Sequence, residues 1–182
     1  MEWIVAGQAV MVLCCIFYII WWYRCYRPGT LVDRTHGFNG ILLFLIIVTG
    51  FSGIALSFQN LPFNGKLLIA DDLLLSATAA VFIFMLVVTL FIFRRSVTSE
   101  LFIITIWTAV ETAVCNRMYA GSLIGKGSYI TGLIIIALAF CVSMIMYVLY
   151  YRMEENRAFY AAMVPLVAAA FTAAALLLMI VF

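Results

Sequence analysis

Charge is scarce in this chain. Of its 182 residues only 10% are Asp, Glu, Lys or Arg, while 68% are hydrophobic. An ordinary soluble domain is about a quarter charged and about half apolar. No water-soluble fold of this length has enough interior to hide so much apolar surface. The solvent for most of the protein is therefore lipid. The net charge is only +2 and the basic residues are scattered, so nucleic acid finds no electrostatic footprint.

Histidine is almost missing. His36 stands alone, which excludes bis-histidine haem ligation within one chain and leaves a zinc site short of ligands. Cys14, Cys15, Cys25, Cys115 and Cys141 include no Cys-x-x-Cys pair, and four of them lie in apolar runs. That argues against a disulfide framework or a thiol-oxidase site and for small apolar packing residues. No run alternates with period two, which disfavours a barrel. Also absent are His-Glu-x-x-His, Gly-x-Ser-x-Gly, a phosphate loop and a dinucleotide glycine fingerprint. Asp71 and Asp72 are adjacent, not the separated pair of an intramembrane aspartic protease. No cofactor or metal is expected, and the balance leans away from an enzyme.

What the chain does have is six long apolar runs, at about 3–23, 40–58, 73–93, 101–119, 129–151 and 159–182. The third run could begin earlier, near Leu67. About 20 apolar residues carry a helix across a bilayer, and in lipid each backbone must satisfy its own hydrogen bonds. The first run is too long for the core of a cleaved signal peptide and lacks a basic start, so it reads as a retained span. The expectation is an all-α, polytopic integral membrane protein. It forms one domain over 1–182, a bundle of six transmembrane helices. Short loops make sequential helices antiparallel neighbours.

The loops set the orientation. Arg24, Arg27, Arg34, Arg94, Arg95, Arg152 and Arg157 fall in alternate connections, which share one side. The other side has Lys66, Arg117 and Lys126. The basic side is normally cytoplasmic, so the N-terminus and C-terminus are both expected outside. Aromatic clusters at Trp21–Tyr26, Tyr147–Tyr151 and Phe159–Tyr160 gather on the basic side as interfacial anchors. The expected location is a cell membrane, a bacterial inner membrane by preference. In size and helix count the chain resembles the substrate-capture subunits of energy-coupling-factor vitamin transporters, a likeness of bulk properties that no motif carries.

Glu111 is the most informative residue. It lies about ten residues into the fourth run, near the midplane at ~1.5 Å per residue. A carboxylate there costs at least ~2.5 kcal/mol, so it should face the bundle interior. Trp107 and Cys115 lie one turn before and after it on the same face, and Thr108 and Thr112 add hydroxyls. Asn116 and Arg117 follow toward the outer end, where Asp71 and Asp72 begin the third span and Gln8 lies near the start of the first. Arg117 could pair with either aspartate or bind an anion. Together these residues would form a polar pocket opening outward.

Three functions remain open. The first is a small-solute binding or transport subunit centred on Glu111. The second is a non-catalytic assembly, sensor or regulatory subunit acting through helix–helix contacts. Its partner would be another membrane subunit, or a second copy joined through the Ala-rich sixth helix. The third is an enzyme acting on lipid or quinone. Membrane lipids are partners in every case.

Overall fold

The computed structural model describes residues 2–27, 36–59, 71–92, 99–150 and 152–181. It holds six helices long and apolar enough to cross a membrane. They are α1 (Glu2–Tyr26), α2 (His36–Phe58), α3 (Asp71–Val87), α4 (Ser99–Ala120), α5 (Lys126–Tyr150) and α6 (Glu155–Val181). α3 runs on into a π-helical turn at Val88–Ile92. Each helix coincides with one expected run, and several extend past it by a few polar residues. A helix that leaves the hydrocarbon goes on bonding its own backbone, so its ends lie beyond the apolar stretch.

α1 packs along α2 and α6, and α5 lies between α4 and α6. α4 is the least apolar span and the most deeply buried. It touches α3, α5 and α6 and the edge of α2, whereas the backbone of α3 runs close only to that of α4 among the described helices. Close approach along the α1–α2 seam rests on small residues, as it does generally between helices in lipid. A Cβ built on Gly7 would sit 2.6 Å from the Ser57 backbone nitrogen, and one on Gly53 would sit 2.8 Å from Met11. Ala161, Ala162, Ala169 and Ala173 of α6 are buried inside the bundle, where α1 and α5 flank that helix.

Both chain ends lie at one end of the bundle. Ile4 and Ile180 share an apolar cluster with Val114, Met118, Ile124 and Tyr129. At the opposite end the Tyr23 ring lies 6.0 Å from Phe159, joining the end of α1 to the start of α6. A second cluster of Met85, Leu101, Ile104 and Tyr147 fastens α3, α4 and α5. There Thr89, in the π-helical turn, and Tyr147 bring their hydroxyls to 3.1 Å.

Candidate functional site

Glu111 lies about halfway along α4, twelve residues from Ser99 or ~18 Å along the axis. Its side chain has no exposed surface, and neither carboxyl oxygen has a hydrogen-bond partner. Gln8 of α1 faces it across a gap that no hydrogen bond closes. The Gln8 amide nitrogen donates instead to Ser57 Oγ of α2 at 3.4 Å, and its Oε1 is bare as well. A buried polar group without a partner costs about 1–3 kcal/mol, more if charged. A bundle built only for packing gains nothing from three such atoms.

On its other side Glu111 borders a void of about 20 Å³ between α4, α5 and α6. Trp107, Thr108, Ser143, Pro165 and Thr172 are among its walls. About 10–15 Å³ measured this way suffices for one water. Two of the wall hydroxyls have a definite hydrogen-bonding sense. Thr108 donates its hydroxyl to the Ile104 carbonyl at 2.8 Å, and Thr172 donates to the Ala169 carbonyl at 2.9 Å. Both hydroxyl hydrogens are spent on backbone, so toward the void the threonines offer lone pairs. The Glu111 oxygens offer more. The Trp107 indole donates to Thr172 Oγ at 3.4 Å and is turned to that contact. The space suits a hydrogen-bond donor of water size.

The remaining expected residues do not line this void. Cys115 packs with no exposure against α5, where its thiol lies 3.8 Å from the Tyr129 carbonyl. The Tyr129 hydroxyl donates to Asn116 Oδ1 at 2.7 Å, tying α5 to α4. The Tyr119 and Tyr129 rings stack at 4.6 Å. Arg117 is buried with its guanidinium 5.3 Å from the Phe58 ring. The backbone of Asp71 and Asp72 begins α3, but their side chains lie outside the described residues, and with them the suggested Arg117 pair. The structure therefore brings Gln8, Trp107 and Glu111 together. It places Cys115, Asn116 and Arg117 in a packed layer toward the end of α4 that carries the chain termini.

That layer bears on the expected outward opening. Val114, Cys115, Met118 and Tyr129 have no exposure, and Leu176 and Ile180 close over them. The void beside Glu111 lies on the opposite side, toward the start of α4. Sequence reasoning passed over Ser143 and Thr172 as site residues. A lone hydroxyl in an apolar run was their only signal, and it does not say which helix faces which. In comparisons with known proteins, no family model, no curated protein and no solved structure matches this chain.

Proposed function

We propose that the protein is a small-solute binding or transport subunit of a membrane, with Glu111 as its working group and a proton, carried with water, as its cargo there. The observation that carries this reading is the pair of buried, unpartnered Glu111 oxygens beside a void of about 20 Å³. The void is too small for a metabolite, since sites for such ligands run from about 300 Å³ upward. Beside the Ser143 hydroxyl, which can donate or accept, its walls present the Glu111, Thr108 and Thr172 oxygens, and these suit a species that brings hydrogens. A carboxylate accepts a proton from hydronium as one O–H bond forms and another breaks, leaving water in the void. An ionisable group at membrane depth is costly, and it is a usual constituent of proton relays.

The test is proton movement in proteoliposomes carrying a luminal pH dye and a potassium diffusion potential. The wild-type chain should pass protons, and Glu111→Gln should lower the rate at least tenfold while the helical spectrum and melting remain intact. Equal flux in the two proteins, or none above protein-free vesicles for the wild type, overturns the reading.

A further inference from the structure

A second, smaller void lies between the start of α4 and the Glu111 cavity. It measures about 10 Å³ and is lined by Tyr18 and Trp22 of α1, Glu100 and Ile103 of α4, and Ala162, Pro165 and Leu166 of α6. Ile103 and Pro165 also line the cavity that Glu111 borders. The two spaces lie on either side of one notch that these two residues share between α4 and α6. Glu100 and Glu111 are eleven residues apart, ~16 Å along the helix, and each void is lined by one of them.

Pro165 frees one backbone acceptor in the turn of α6 beside the notch. It lies inside α6 and has no N–H to give to the carbonyl four residues back, at Ala161. Helices in lipid tolerate such a proline when hydroxyls, waters or neighbouring helices satisfy the freed group. The freed carbonyl belongs to the same turn of α6 as Ala162 and Pro165, which wall the outer void. Thr108 and Thr172 offer further acceptors deeper in. Toward the chain termini the Tyr129 hydroxyl and Asn116 bond to each other, and Val114, Cys115, Met118, Tyr129 and Leu176 pack at 1% exposure or less.

Resting on the proton-binding reading of Glu111, we propose that water and protons reach this carboxyl from one end of the bundle only, the Glu100 end, through the notch between Ile103 and Pro165. The protein then holds half of a transmembrane path. Its other half is sealed by the Cys115–Tyr129–Leu176 layer, and cargo crosses only if that layer opens. Among titratable groups facing Glu111, α1 brings Cys15 and α4 brings Cys115. α1 adds the Gln8 amide, while α5 and α6 bring the hydroxyls of Ser143 and Thr172.

The test follows hydrogen–deuterium exchange of the Glu111 carboxyl by infrared spectroscopy on the full chain in lipid nanodiscs. The carbonyl stretch of the protonated acid is assigned by its loss in Glu111→Gln. If Glu111→Gln removes no such band, the proton-binding reading itself fails. With the band assigned, Ala168→Leu fills the inner void and Ala162→Leu the outer one. Each should slow exchange at least tenfold. Leu176→Ala, which thins the sealed layer with an apolar cavity that stays dry, should leave the rate unchanged. Two fillings at separate points keep the test alive if one variant does not fold. Exchange that neither filling slows, or that Leu176→Ala accelerates tenfold, overturns the one-sided path while leaving the proton site standing.

Discussion

Glu111 separates two roles by the sign of a stability change. A carboxyl that staples helices loses hydrogen bonds when replaced by an apolar side chain of similar size, and the protein weakens. A carboxyl whose oxygens are bare in the resting bundle loses only a desolvation penalty, and the protein gains. Neither Glu111 oxygen has a partner, so Glu111→Leu should stabilise the fold by about 1–3 kcal/mol. Thermal melting in mild detergent gives the sign, and destabilisation of that size would restore the staple. The same variant should pass no protons. Stability gained as function is lost is the pattern expected of a site held at a cost to the fold.

At the scale of the element, the α1–α2 seam gives a graded series. A Cβ on Gly7 would come within 3.0 Å of the Ser57 backbone, which cannot swing aside. One on Gly50 would meet Cys14 Sγ at 3.4 Å, and one on Gly40 would meet nothing. Gly7→Ala should therefore cost about 1–3 kcal/mol from overpacking, Gly50→Ala much less, and Gly40→Ala nothing or a slight gain from helix propensity. Melting of the three variants checks the order, and equal midpoints would mean that the seam is loose. Gly7 also fixes where its neighbour Gln8 stands relative to Glu111, so Gly7→Ala should disturb proton passage as well.

The six spans were legible because length and hydropathy decide them directly. Glu111 was legible because a carboxylate in an apolar run is conspicuous. The lateral arrangement was not. In water a helix declares its inner face by polarity, but in lipid the inner and outer faces are both apolar. Nothing in the runs therefore said that α1 would lie on α6, or that the backbone of α3 would run close to α4 alone. Gly50 and Gly53 are small residues in the second run, but nothing in the sequence paired them with the Gly7 side of α1 that they meet in the fold. The pocket was expected toward Asn116 and Arg117 because polar residues cluster there in sequence. In the fold Asn116 is engaged by Tyr129 and Arg117 lies against Phe58, and space opens on the other side, beside residues that look merely apolar.

For the whole molecule, sidedness follows from two independent constraints. The packing of Ile4 with Ile180 and of Tyr23 with Phe159 requires residues 2 and 181 to share one end of the bundle. Loop charge then selects which membrane face that end occupies. Seven of the ten basic residues lie in the connections at the opposite end, and the basic end is normally cytoplasmic. Short epitope tags at the two chain ends of the intact protein should thus both be reached by antibody from outside unopened cells. One tag reached and one hidden would contradict the even number of crossings, and with it the shared end. Both hidden would keep the bundle but invert it. The two failures bear differently on the site. The first removes the six-span geometry that places Glu111 at mid-membrane. The second leaves Glu111, its void and the Pro165 notch intact but turns the Glu100 mouth outward, so the protein would take protons from outside instead of from the cytoplasm. The charge distribution favours the cytoplasmic mouth, and on the proposed reading the Cys115–Tyr129–Leu176 layer would then be the barrier between the outer medium and Glu111.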